Sequence, residues 1–143
     1  MTKQALIDAL NDDLAHEFQA ILAYTRWSAE VSGPHRDLLR AMFQREIPDE
    51  IGHAQFLADK IVVLGGTPTV TPAAVPEAPT NRAKLEAVLA MEQQAIQGYA
   101  ERARQAEELG ELGLKVRLEQ MVSDETGHYE AVKMLLRDWN DQL

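Results

Sequence analysis

The chain has 143 residues, 45% of them hydrophobic, which suits one domain built around one core. Its 23 acidic and 14 basic residues give a net charge of −9, and this acid excess argues against a nucleic-acid partner because phosphate binding needs clustered lysine and arginine. The sequence contains no cysteine, which excludes disulfides, thiolate catalysis, iron–sulfur clusters and cysteine-ligated zinc, so any bound metal must use oxygen and nitrogen ligands.

Four long stretches have the apolar periodicity of helices, and breaks rich in glycine or proline separate them. The breaks lie at 32–34, at 65–81 and near 110–113. No segment shows the alternation that is typical of a strand. The sequence therefore predicts an all-α fold with helices at about 3–31, 35–64, 82–108 and 112–140.

Each predicted helix carries an apolar stripe with the spacing of a helix-bundle seam. A carboxylate interrupts each stripe at mid-length: Glu17, Glu50, Glu92 and Glu125. The proline-rich break at 65–81 is long enough to cross the bundle, because each extended residue adds ~3.1 Å and a helix of this size is ~42 Å long. We therefore predict a single domain over 1–143, a four-helix bundle whose two hairpins are joined by one long crossover.

An internal repeat relates the two halves of the chain by a shift of 75 residues. The pattern E-x-Q-A-I-x-x-Y occurs at 17–24 and again at 92–99, and D-E-x-G-H occurs at 49–53 and again at 124–128. Two motifs that keep one offset indicate two related helical hairpins with an approximate twofold axis between them.

The spacing within each half predicts where the repeated carboxylates meet. Glu17 and Glu50 are equally far from the first turn, and Glu92 and Glu125 are placed in the same way about the last. All four should therefore lie in one layer at mid-bundle. His53 and His128 follow the second and fourth glutamates by three residues, which brings them onto the same helix faces.

Four buried carboxylates would repel one another and oppose folding unless cations neutralise them. Two divalent cations balance the four negative charges, so the layer predicts a dinuclear metal site. Glutamate with histidine suits iron or manganese, with zinc as an alternative, whereas magnesium and calcium rarely recruit imidazole. We expect Glu50 and Glu125 to bridge the ions, Glu17 with His53 to complete one, and Glu92 with His128 to complete the other.

Several neighbouring residues have less specific patterns. Tyr24 and Tyr99 lie two turns beyond Glu17 and Glu92, where the spacing favours core packing for both, with a hydrogen bond to a ligand or electron transfer as an alternative for Tyr24. The aspartates of the repeated motif, at 49 and 124, are either partners of the histidines on a neighbouring helix or solvated surface acids. The glycines at 52 and 127 indicate close helix approach, and Glu46, one turn before Glu50, is a candidate for guiding ions inward.

At these residues the chain resembles the ferritin-like superfamily, and bacterioferritin in particular. Six residues match that family's metal ligands in kind and order, and Tyr24 matches its tyrosine beside the site; the six are Glu17, Glu50, His53, Glu92, Glu125 and His128. The resemblance covers essentially the whole chain and implies that these seven residues form a ferroxidase centre. Such a centre binds two iron ions per chain and oxidises Fe(II) with O2 or H2O2. Haem is not expected, because Ile51 stands where bacterioferritin has a haem-ligating methionine.

The resemblance also sets expectations for assembly. The site is similar to that of Dps-like miniferritins with a bacterioferritin-type centre, which form 12-subunit shells. After the fourth helix the sequence has no segment like the fifth helix that supports 24-subunit cages. We expect a homo-oligomer, at least a dimer, with a shell of 12 or 24 subunits if the protein stores mineral.

Three functions are compatible with this site. The first is a ferroxidase in iron storage or detoxification. The second is a di-iron or dimanganese oxidoreductase that acts on peroxide or a small organic substrate without storing mineral. The third is a non-enzymatic bundle stapled by its metal. The N-terminus has no signal-peptide pattern and no apolar run is long enough to cross a bilayer, so we expect a cytoplasmic protein without a membrane partner.

Overall fold

The computed structural model describes residues 1–139, and within them it contains four helices and no strand. The helices are α1 (Lys3–Glu30), α2 (Arg36–Val63), α3 (Asn81–Glu108) and α4 (Leu112–Leu136). The predicted all-α class is confirmed. Helix α4 ends earlier than the predicted residue 140, because the N–H of Arg137 bonds to the carbonyl of Met134 and closes the last turn. Residue 140 itself lies outside the described part of the chain.

Two helical hairpins make up the bundle. Helix α1 packs mainly against α2, and α3 mainly against α4, while contacts between α1 and α3 join the hairpins. The turns after α1 and α3 contain Gly33 and Gly110 with φ of 80° and 75°, a left-handed conformation that glycine adopts without strain. Each turn folds its helix pair antiparallel.

The segment between α2 and α3 runs along α1 as the predicted crossover. The side chain of Asn11 accepts from the N–H of Thr69 and donates to the carbonyl of Thr67. Further on, the N–H of Ala73 bonds to the carbonyl of Ala15, and Asn81 at the start of α3 bonds to Ser32. The crossover therefore returns the chain to the end of the bundle where α2 began, and α2 and α3 run parallel.

Two apolar clusters fill the bundle, one towards each end. The first includes Leu10, Leu57 and Leu118, and the second includes Trp27, Phe43 and Val132. On every helix the residues of the two clusters are separated by the mid-length carboxylate. A polar layer thus divides the core. None of the helices described here is both long and apolar enough to cross a membrane.

Candidate metal centre

The four mid-helix glutamates, one from each helix, meet in the polar layer. Glu17, Glu50 and Glu92 are each 2% exposed and Glu125 is 1% exposed. Each lies on its helix in place of an apolar residue of the stripe, so the packing that buries the stripe also buries the carboxylate. His53, three residues after Glu50, is buried beside them, and His128 is mostly buried.

The donor atoms form two groups that share one residue. The first contains Glu17, Glu50, His53 and Glu125, and the second contains Glu46, Glu50, Glu92 and His128. Within each group the atoms lie within 4.8 Å of one another. Among the described residues, Glu50 is the one that belongs to both groups.

The distances around the histidines define the two positions. Nδ1 of His53 lies 3.1 Å from Oε1 of Glu125 and 3.6 Å from Oε1 of Glu17. Nδ1 of His128 lies 3.6 Å from Oε1 of Glu50, 3.9 Å from Oε1 of Glu92 and 3.9 Å from Oε1 of Glu125. Glu125 is therefore closer to the His53 position than to the His128 position.

Seven buried side-chain atoms have no hydrogen-bond partner within the described residues, and all of them belong to this layer. They are Oε2 of Glu17, Oε2 of Glu46, Oε1 of Glu50, Nδ1 of His53, Oε2 of Glu92, Oε1 of Glu125 and Nδ1 of His128. Native proteins pair nearly all buried polar atoms, since each unpaired one opposes folding. A set of carboxylate oxygens and imidazole nitrogens converging in this way fits divalent cations such as iron or manganese.

Aspartates hold the outer nitrogen of each histidine across the interface between α2 and α4. Nε2 of His53 donates to Oδ2 of Asp124 at 3.0 Å, and Nε2 of His128 donates to Oδ2 of Asp49 at 3.2 Å. These bonds turn each Nδ1 towards the layer and orient the ring. Both aspartates are also exposed to solvent. They are therefore partners of the histidines and surface acids at the same time, which combines the two interpretations of the sequence.

Two tyrosines hydrogen-bond to carboxylates of the layer. The hydroxyl of Tyr24 donates to Oε1 of Glu92 at 2.7 Å, and the hydroxyl of Tyr99 donates to Glu17. Contact with a ligand was predicted as an alternative for Tyr24 only, and core packing for Tyr99. The repeat was the signal that could have found Tyr99, because the two residues are related by the same shift of 75.

Proton affinities in the layer follow from burial and crowding. Burial and the neighbouring Glu17 raise the pKa of Glu50, and burial together with Glu125 raises the pKa of Glu92. Burial lowers the pKa of His53, but contact with Glu125 and Glu17 outweighs it and raises that pKa to about 10. Burial opposes charge on His128 too, and Glu46 overcomes it, so the pKa of His128 rises to about 9. Without a metal, protons therefore neutralise part of the acidic layer.

The glycines of the repeated motif do not allow close helix approach, and that prediction is wrong. A Cβ built on Gly52 or Gly127 would meet no atom within 4 Å among the described residues. Both glycines line a surface depression between α2 and α4 that also touches His53 and His128. The missing side chains leave open space outside the histidines.

A second cavity reaches the layer from the opposite face, between α1 and α3. Its volume is about 330 Å³. It touches all four glutamates of the layer and opens to the surface near Asp12, Gln94 and Gln97. A small molecule could therefore approach the carboxylates from this side.

A protein-family model described as "Ferritin-like domain" matches residues 7–141 of this chain. A ferritin-like, diiron-carboxylate protein from Bacillus anthracis is 44% identical, with a TM-score of 0.94 over 96% of this chain and 100% of that one. The comparison with curated proteins gave no match.

Two further solved structures extend the likeness. Bacterioferritin from Mycobacterium tuberculosis is 26% identical, with a TM-score of 0.83 over 92% of this chain and 84% of its own. A bacterioferritin-related protein from Bacteroides fragilis, described as a dodecameric thioferritin, is 24% identical, with a TM-score of 0.86 over 96% of this chain and 88% of its own. The similarity to the Bacteroides fragilis protein shows a shared fold and nothing further.

Proposed function

Because the chain belongs to the ferritin-like domain family, we propose that it is a di-iron ferroxidase that oxidises Fe(II) with O2 or H2O2 in iron storage or detoxification. The observation that carries this proposal is the set of seven buried, unpartnered oxygen and nitrogen atoms in one layer. Two Fe(II) ions supply two electrons, which with two protons reduce O2 to H2O2 or H2O2 to water. Manganese and zinc are the alternative occupants.

The chain's own residues bind and orient the ions. The proposed ligands are Glu17, Glu50, His53, Glu92, Glu125 and His128. Tyr24 holds Glu92 through its hydrogen bond, and this keeps one carboxylate oxygen directed into the layer. The net charge of −9 attracts Fe(II) to the protein surface.

Aerobic addition of Fe(II) to the metal-free protein tests the activity. We expect ferric absorbance to rise rapidly with the wild-type chain and slowly with Glu50→Ala, since that variant lacks the carboxylate shared by both groups. Glu119→Gln removes one exposed carboxylate from α4 and serves as the control for net charge. Equal rates for Glu50→Ala and the wild type would overturn the proposal.

Storage requires an assembly with an interior. The Bacteroides fragilis neighbour is described as dodecameric, and we propose that this chain also forms a homo-oligomeric shell in the cytoplasm. Native mass measurement tests this, with a shell of 12 subunits as the expected result. A dimer has no interior for mineral, so it would remove the storage role while leaving the oxidation of Fe(II).

The cavity between α1 and α3 favours a second candidate, an oxidoreductase that acts on peroxide or a small organic substrate. Its volume of about 330 Å³ gives a small molecule room to reach the four glutamates. This function predicts catalytic consumption of H2O2 or another substrate by the metal-loaded protein, with no net accumulation of Fe(III). Continued Fe(III) accumulation in step with oxidant consumption would favour the ferroxidase.

A further inference from the structure

Glu46 lies among the candidate ligands although it is not one of the six that the repeat predicts. Its Oε2 is 2.8 Å from Nδ1 of His128. Both atoms are buried, and neither has a hydrogen-bond partner in the described residues, so the short distance is not a hydrogen bond of good geometry. Two donors that share one ion, each about 2.1 Å from it and at right angles, lie about 3 Å apart. The spacing of Glu46 and His128 is that of two ligands of one ion.

The internal repeat shows that this extra carboxylate is present on one side only. The shift of 75 residues relates position 46 to Met121, which is fully buried in the apolar cluster. The His53 position thus has no counterpart of Glu46. Glu125, the other residue expected to bridge the ions, lies closer to the His53 position. Its Oε1 is 3.1 Å from Nδ1 of His53 but 3.9 Å from Nδ1 of His128.

The position with the extra carboxylate is also the one whose side chains are more exposed to solvent. The side chains of His128 and Glu46 are 16% and 15% exposed. Those of His53 and Glu17 are 3% and 2% exposed. The extra carboxylate therefore belongs to the position that lies nearer to solvent.

We propose that Glu46 is a ligand of the ion held by Glu50, Glu92 and His128. The centre then has seven protein ligands and two unlike positions, with Glu50 as the residue that both ions share. This inference rests on the proposed function in requiring a dinuclear site, but it makes a separate claim about which residue binds which ion.

Anaerobic titration of the metal-free protein with Co(II), followed by calorimetry and by the visible spectrum of the ion, tests the proposal. We expect two ions per wild-type chain. Glu46→Gln should weaken one of them at least about tenfold, since even residues that only support a ligand change metal affinity by 10- to 100-fold. Glu46→Asp should restore part of the affinity, and Glu119→Gln should change neither ion.

Two histidine variants, used as parents for Glu46→Gln, show which of the two ions this substitution weakens. With His53→Ala, the remaining ion occupies the His128 position, and adding Glu46→Gln should weaken it by the same factor. With His128→Ala, the remaining ion occupies the His53 position, and adding Glu46→Gln should leave it unchanged. Thermal unfolding of each metal-free variant shows that it is folded before titration.

The results that would contradict the inference differ from the result that would also contradict the proposed function. A purely electrostatic partner of His128 would give equal or tighter Co(II) binding in Glu46→Gln, because less proton competition would remain. An equal loss in both backgrounds would mean a general effect of charge. Either result would overturn the inference alone, whereas a wild-type chain that binds no Co(II) would overturn both the inference and the proposed function.

Discussion

At the scale of single residues, the candidate ligands compete with protons for the same atoms. His53 and His128 have pKa values raised to about 10 and about 9 because carboxylates surround them, despite the opposing effect of burial. A metal ion needs a neutral imidazole nitrogen. Each ion that binds at neutral pH must therefore displace a proton from a histidine, and the raised pKa of Glu92 adds a proton to be displaced from the carboxylates.

This competition predicts the pH dependence of metal binding. Below the raised pKa values the protonated form predominates, so the apparent affinity for Co(II) should rise with pH from about 6 to about 9 and level off near 10. Binding at pH 7 should release at least one proton per ion, measurable with a pH indicator in weakly buffered, anaerobic solution. An affinity that is constant between pH 6 and pH 9 would contradict this prediction.

The same pKa values predict how the metal-free fold responds to pH. A histidine whose pKa is raised by folding stabilises the folded state below its unfolded value of 6.5, and this contribution is lost as pH rises through the folded value. The metal-free protein should therefore lose stability as pH rises towards 9 and 10. The metal-loaded protein, whose ligands stay neutralised, should lose less.

At the scale of elements, three glycines differ in their surroundings, so helix propensity determines the effect of two of them on stability and packing determines the effect of the third. Gly52 and Gly127 lie inside α2 and α4 with open space at the Cβ position. Gly66, just after α2, is different, because a Cβ there would lie 2.5 Å from Cγ2 of Ile7 and 3.1 Å from Cγ2 of Ile61. The first two are thus unfavourable for the helix without a packing benefit, while the third allows the crossover to leave the bundle.

Substitution by alanine should therefore have opposite effects at these positions. Gly52→Ala and Gly127→Ala should each stabilise the protein by roughly 0.5–1 kcal/mol, the difference in helix propensity. Gly66→Ala should destabilise it by about 1–3 kcal/mol, because the side chains of α1 and α2 must shift. Urea unfolding of the metal-free proteins measures all three, and a loss of stability in Gly52→Ala would show that the helices approach there after all.

At the scale of the whole molecule, the polar layer reduces the stability of the bundle unless metal is bound. Burial and Glu17 raise the pKa of Glu50, so ionisation of this carboxyl is less favourable in the folded chain than in the unfolded chain. Metal that binds only the folded chain stabilises it by about 2.7 kcal/mol when its concentration is 100 times the dissociation constant. Metal bound in this layer would therefore couple folding to metal supply.

Glu50→Gln should separate these two effects. We expect the metal-free variant to have a melting temperature at pH 8 equal to or above that of the metal-free wild type, because glutamine has neither a charge to bury nor a proton to take up on folding. Anaerobic Co(II) should raise the melting temperature of the wild type by several degrees and that of the variant by much less. A metal-free variant clearly less stable than the wild type would mean that Glu50 supports the fold directly.

The sequence by itself determined the helices, the crossover and the layer of glutamates. These features follow from short-range rules. The apolar stripe repeats with the helix, and equal separation from a turn places Glu17 beside Glu50 and Glu92 beside Glu125. For the two aspartates of the repeated motif the sequence left two interpretations open, a histidine partner on a neighbouring helix or a solvated surface acid, and the structure shows the pairing.

Only the tertiary structure decided which neighbours of the layer point into it. Glu46 contacts His128 and Gly52 borders open space, and both features depend on how far the helices rotate and separate from one another. Residue spacing along one helix defines a face but not the side chain that meets it from another helix. That relation arises from packing between segments distant in the chain, which no local pattern specifies.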